Sequence, residues 1–206
     1  MPFDMGFDFR AWAGTTPPAY ASDVYGEAYP HTYTNVNGYS INGGWDAGVN
    51  PTNRDVGGGQ DPRIDGINYI GNGTVRTFTI DLSSGSAPGA GTYTVDVAAG
   101  DPSAGHNQGF KVFDNTTVVL DGSNGGSGFT TTTGHYIDAT LADVAATTSW
   151  TGTTTNKTFA TTTAKLGIGY GSGDATTIAH FRLTLTAGGG QSVVPVLMAQ
   201  YRQRGN

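Results

Sequence analysis

Seven side chains have types suited to holding a hydroxylated ligand. Tyr39 and Trp45 offer flat rings on which a sugar face could stack. Arg54, Asp55, Asp101, His106 and Asn107 offer polar groups that could bond its hydroxyls. A binding site of this kind combines apolar surface with a few well-placed polar groups. The seven lie in two loop-like stretches, 31–59 and 101–108, so they make one site only if those stretches converge. The same residues have a structural use. Trp45 can plug one end of a hydrophobic core while Arg54 and Asp55 tie a long loop down through internal hydrogen bonds. That use is the stronger expectation, because aromatic residues in loops commonly close a core.

Residues for catalysis or metal binding are sparse. Glu27 is the sole glutamate, so glycosidic acid–base work would fall to pairs of aspartates, and nothing in the spacing sets two at a useful separation. There is no Gly-x-Ser-x-Gly elbow and no cysteine, hence no disulfide and no thiol nucleophile. His31, His106, His135 and His180 are scattered without metal-ligand spacing and read as structural. Asp121-Gly122-Ser123-Asn124-Gly125-Gly126 lacks the alternating oxygen donors and closing acid of a calcium loop. A calcium held elsewhere by Asp side chains and backbone carbonyls stays open. Gly167-Ile168-Gly169-Tyr170-Gly171 has no helix behind it to hold a phosphate. The expectation is a non-enzymatic chain with no catalytic residues, no cofactor and no dedicated metal site.

The elements that would carry these residues are strands. In Val75–Leu82, Phe78, Ile80 and Leu82 alternate with Thr77, Thr79 and Asp81. Tyr93, Val95 and Val97 alternate with Thr94 and Asp96, and Phe181, Leu183 and Leu185 with Arg182 and Thr184. Strand side chains point alternately to opposite faces, so this period of two predicts half-buried sheet. Phe110–Phe113 and Thr117–Leu120 read as a hairpin turning at Asp114-Asn115. Phe3, Met5, Phe7 and Phe9 make a first strand with an aromatic inner face. Tyr136–Leu141 and Ala164–Tyr170 read as further strands, and Trp150 and Phe159 as the buried residues of the Thr-rich stretch 147–163. From Ala11 to Arg63 the pattern dissolves into turn residues, which predicts a long loop region over 11–65. The fold class expected is an all-β, antiparallel two-sheet sandwich of jelly-roll type, one domain over 1–206.

Composition narrows the partners. Of 206 residues 33 are glycine, and only 13% are charged, about half the usual share. Net charge is −6, yet residues 175–206 hold three arginines and no acid. The acidic body should repel nucleic acid. No apolar run is long enough for a membrane helix. Met1-Pro2-Phe3-Asp4-Met5 lacks the basic and apolar regions of a signal peptide. Val193–Met198 is apolar on both faces and runs into a basic, aromatic end. Leu197, Tyr201, Arg202 and Arg204 are therefore expected at a protein interface, the tail 193–206 resembling those of phage structural proteins.

Several stretches together resemble the galactose-binding-like jelly-roll modules beside bacterial rhamnogalacturonan acetylesterases. They are Phe7-Asp8-Phe9, then Gly43-Gly44-Trp45 with Arg54-Asp55, then Gly91–Val95, Gly100-Asp101, His106 and Phe110-Lys111-Val112. The likeness covers roughly residues 3–120, with Arg10 standing where such modules have glycine. It implies a two-sheet jelly roll with a sugar site in its loops. The function expected is a virion structural protein, such as a capsid decoration protein of a bacterial virus. It would contact other virion proteins as a homo-oligomer or capsid lattice. The alternative expected is an extracellular carbohydrate-binding module recognising a cell-surface or plant-type glycan.

Overall fold

A computed structural model of the chain describes residues 2–9, 19–21, 24, 26–46, 52–55, 61–70, 76–102, 107–123, 129–130, 132–168 and 176–186. These residues form strands and turns, with no helix among them. The longest strands are the ones with the cleanest alternation. β8 (Gly91–Ala99) and β17 (Thr176–Leu185) pair antiparallel through the centre of the larger sheet. β1 (Asp4–Asp8) lies on the other side of β17, with Phe7 opposite Phe181. β2 (Tyr20–Ala21) extends that margin in parallel. β6 (Gly66–Ile70) pairs with β17 and carries β5 (Thr52–Asp55). β13 (His135–Ile137), β14 (Asp143–Ala145) and β15 (Thr155–Phe159) continue from β8.

The smaller sheet has six strands in the order β11-β10-β16-β7-β4-β3. They are β11 (Thr117–Gly122), β10 (Phe110–Asp114), β16 (Thr163–Ile168), β7 (Arg76–Asp81), β4 (Ser40–Trp45) and β3 (His31–Thr34). β9 (Asn107–Gln108) and β12 (Phe129–Thr130) form a separate two-stranded ribbon. The two large sheets press their apolar faces together. Phe3, Met5, Phe7, Phe9, Val95, Val97, Phe181 and Leu183 from one meet Ile41, Phe78, Ile80, Phe110, Val112 and Leu166 from the other, all enclosed. Each such side chain contributes about 1.5–3 kcal/mol by leaving water. The all-β, two-sheet sandwich expected from alternation is what the chain forms.

Several local expectations change. The stretch from Ala11 to Arg63 is not without regular structure, since it supplies β2, β3, β4 and β5. The hairpin of β3 and β4 hides its alternation because Asn42, Gly43 and Gly44 stand where a strand usually shows branched residues. Gly43 is small for a packing reason: a Cβ there would lie 3.3 Å from the Tyr33 ring. The turn is held by buried Asn35. Its amide nitrogen donates to the carbonyls of Asp4 (2.9 Å) and Ala19 (3.0 Å), and its oxygen accepts from Tyr39 N (3.0 Å). This one side chain joins the hairpin to β1. The strand expected over 136–141 stops at Ile137. There the Asp138 carboxylate accepts from Thr140 N and Oγ1, Ala142 N and Thr153 N, gathering the chain into a turn. The hairpin at Asp114-Asn115 forms as read, with Asn115 in the left-handed region at φ 58°. Trp150 and Phe159 are both buried. The segment 193–198 lies outside the described residues.

Candidate functional site

The seven residues expected around a sugar are dispersed. Tyr39 and Trp45 stand at opposite ends of β4, about 20 Å apart for six extended residues. Tyr39 leans edge-on against Phe3 (5.6 Å between ring centroids), and its hydroxyl donates to Pro2 O (2.9 Å). Trp45 is 1% exposed and packs against Phe9 and Phe78. An enclosed indole has no face to offer a pyranose, so Trp45 takes the core-plugging use. Arg54 and Asp55 lie on β5, opposite Ile67 and Gly66 of β6. Asp101 is buried just beyond β8, and Asn107 is in the ribbon opposite Thr130. His106 and the interface set Leu197, Tyr201, Arg202 and Arg204 lie outside the described residues.

The charges collect elsewhere, on the outer face of the larger sheet. β1 puts Asp4, Gly6 and Asp8 there, β17 puts His180, Arg182 and Thr184, and β8 puts Asp96. Gly6 has no side chain because the Tyr20 ring occupies that space; a Cβ would come within 2.4 Å of Tyr20 Cδ1. Arg182 lies 5.8 Å from the centroid of that ring. It grips Asp4 with both arms, Nε to Oδ1 at 2.7 Å and Nη2 to Oδ2 at 2.6 Å. Thr184 Oγ1 donates to the same carboxylate (3.1 Å).

Over this face lies a second layer from segments 61–64 and 147–150. Asp61 accepts from Arg63 Nε (2.9 Å) and Nη2 (2.7 Å), and from the backbone N of Arg63 (3.0 Å) and Trp150 (2.8 Å). Asp96 accepts from Trp150 Nε1 at 3.0 Å. His180 Nε2 stands 3.2 Å from the same Asp96 oxygen, and Arg63 Nη1 lies 3.9 Å from the other. That Nε2 lies off the hydrogen-bonding line, so its contact with Asp96 is not an aligned bond. His180 Nδ1 is 3.3 Å from Arg63 O, so Nδ1 carries a proton. The imidazole is walled edge-on by Tyr20 (5.7 Å) and Trp150 (5.6 Å). Tyr136 closes the layer against Trp150 and bonds Ile64 O at 2.9 Å.

The electrostatics follow from this enclosure. Burial pushes the Asp96 carboxyl up, but His180, the Trp150 indole and Arg63 outweigh it and hold it at about 2. Burial likewise raises Asp61, and the Arg63 and Trp150 bonds reverse that and set it far below the usual range. Burial, then Asp96, drive the Tyr20 phenol well above its ordinary value. Each of these charges faces a partner inside the fold. A ligand could reach them only by displacing Trp150 and Arg63, so this layer cements the structure.

The outer face of the smaller sheet is the reverse. Apart from Ala28-Tyr29 at Gly44, no described segment packs on it. Thr77, Thr79 and Asp81 of β7, Thr163 and Lys165 of β16, Lys111 and Phe113 of β10 and Asn42 of β4 lie half-exposed there. The three large apolar side chains described as exposed also belong to this sheet. Tyr29 (42%) and Val36 (74%) flank β3 at one margin, and Val118 (40%) lies in β11 at the other. Among the described residues no group of three or more His, Cys, Asp or Glu is placed to hold a metal ion.

Sequence reasoning missed both faces. Alternation puts Asp96, His180 and Arg182 outward, which reads as solvent. The available signal was their density on the two central strands, together with a tryptophan stranded among threonines at Trp150. Comparison with protein families, with curated proteins and with solved structures finds no match to this chain.

Proposed function

We propose that this chain is a non-enzymatic structural module of a virus particle, a decoration protein of jelly-roll type that joins neighbours through the margins of its smaller sheet. The observation that supports it is the placing of exposed apolar side chains. Tyr29, Val36 and Val118 all sit at the two terminal strands, β3 and β11, rather than scattered over the surface. A terminal strand carries backbone donors and acceptors without a sheet partner on one side, and apolar residues beside it favour pairing with another chain. The two margins differ, so such contact is head-to-tail and builds rings or arrays. The half-exposed threonines between them suit a surface that stays wet. Sedimentation velocity of the purified chain over a wide concentration range tests this. Association that Val36→Asp or Val118→Asp abolishes is expected, along with recovery of the chain from purified particles. A monomer at every concentration, and no particle-bound chain, overturns the reading.

A second reading, a carbohydrate-binding module, is favoured by a different observation. Tyr29 is the one aromatic ring described as exposed, and its hydroxyl donates to Asp81 Oδ2 at 3.0 Å, so the ring is anchored across the open face.

A further inference from the structure

The open face of the smaller sheet has the form of a shallow platform. Residues Gly44, Thr79, Lys165 and Phe113 fall in one register row across β4, β7, β16 and β10. Three strand spacings make this row about 14 Å long. The neighbouring row runs Thr77, Gly167, Lys111. The middle of the platform is Thr77 and Thr79 with the Lys165 side chain beside them, since Gly44 and Gly167 lie beneath the residues at its two ends. Its ends are aromatic. At one end the Tyr29 backbone passes close over Gly44, where a Cβ would lie 2.5 Å from Tyr29 N. The Tyr29 side chain then crosses β4 to reach Asp81 on β7. At the other end the Phe113 ring lies over Gly167, with Cε2 at 2.3 Å from the position a Cβ would take.

The polar groups along the row are short and fixed. Asn42 Oδ1 accepts from Thr32 Oγ1 (2.9 Å), which leaves the amide nitrogen without an acceptor among the described residues. Asp81 is held by Ser83 N (2.9 Å) and Ser83 Oγ (2.6 Å) as well as by Tyr29. Its carboxyl, raised by its slight burial, is lowered overall by those bonds and stays ionised. Lys111 faces Asp121 at 3.5 Å. Lys165 and Asp81 bring one charge of each sign, so the floor prefers neither anions nor cations.

We infer that this platform, framed by Tyr29 and Phe113 over the floor of Thr77, Thr79 and Lys165, is a binding site for a neutral oligosaccharide. The inference rests on the carbohydrate reading but moves the site from the loops to the sheet. A sugar chain presents flat apolar ring faces, which suit aromatic rings, and hydroxyls, which suit threonine, amide, carboxylate and ammonium groups. A protein partner would call for a more apolar centre.

The test uses the full chain and isothermal titration with gluco-, manno- and galacto-configured neutral oligosaccharides, with oligogalacturonate as the charged comparison. Binding of at least one neutral series is expected. Tyr29→Ala should weaken it about tenfold. Thr79→Arg, which fills the floor without touching the core, should abolish it, and Tyr29→Phe should keep it. Circular dichroism confirms that each variant folds. Binding unchanged in both Tyr29→Ala and Thr79→Arg overturns the platform while leaving the carbohydrate reading intact. Binding of oligogalacturonate alone overturns the assignment of a neutral ligand. Absence of binding to all four probes overturns the platform and the carbohydrate reading together.

Discussion

The two sheets present opposite solutions to the same problem. Each has an apolar face for the core and a second face that alternation makes polar. On the larger sheet the second face holds Asp4, Asp96, His180 and Arg182, and the chain folds Tyr20, Arg63 and Trp150 down over it. On the smaller sheet it holds threonines, a few charges and glycines, and among the described residues only the Ala28-Tyr29 segment crosses it, at one end. Charge density decides between the two. Aspartate, arginine and histidine placed together can satisfy one another in low dielectric, and once paired they tolerate a lid. A row of threonines gains little from being covered and is left to water. Residues with the richest chemistry thus went into cement, and the plainest ones were left to meet partners.

That contrast can be broken most forcefully at Asp96. Asp96→Ala leaves Arg63, His180 and the Trp150 indole N–H facing a void. It should cost about 3–5 kcal/mol, read as a large fall in the denaturant midpoint. A loss below about 1 kcal/mol would mean that the layer is not cement. Gly6→Ala comes next. It drives a methyl into the Tyr20 ring and should cost about 1–3 kcal/mol, whereas Gly89→Ala, with open space around it, tests φ +91° alone.

Acid sharpens the comparison further. Asp96 is depressed in the folded chain to about 2. The stabilisation this represents is fully present above the unfolded value near 4 and is lost as pH falls from about 4 to about 2. It amounts to about 2 kcal/mol, and chemical denaturation at stepped pH should show a smaller acid loss in Asp96→Asn than in the parent, the remainder coming from Asp61 and the other depressed carboxyls. The smallest effects belong to the open face. Lys165→Ala and Thr77→Ser should change stability by less than about 0.5 kcal/mol.

The sequence was readable where side chains alternate cleanly. β7, β8 and β17 follow from Phe78, Val95 and Phe181, each flanked by polar neighbours, and β10 and β11 from the hairpin turn at Asp114-Asn115. It was unreadable where packing rather than propensity chose the residue. Gly43 makes room for Tyr33, and Gly44 for the Ala28-Tyr29 backbone, so β4 looks like a turn in one dimension. The seven ligand candidates were selected by type, and type carries no distance: Tyr39 and Trp45 share a strand yet point to its two ends. The charged layer escaped because alternation says only that a side chain leaves the core, not whether something waits on the other side.

The grip of Arg182 on Asp4 joins residues 178 positions apart. β1 therefore leaves a ribosome well before its partner β17. Until β17 emerges, β1 with Phe3, Met5, Phe7 and Phe9 has only the two-residue β2 beside it. Such distant pairing makes closure slow and leaves a sticky aromatic ribbon in the open during synthesis. The bond that seals this molecule therefore also sets its most vulnerable interval, the time taken to make the 178 positions between its two partners.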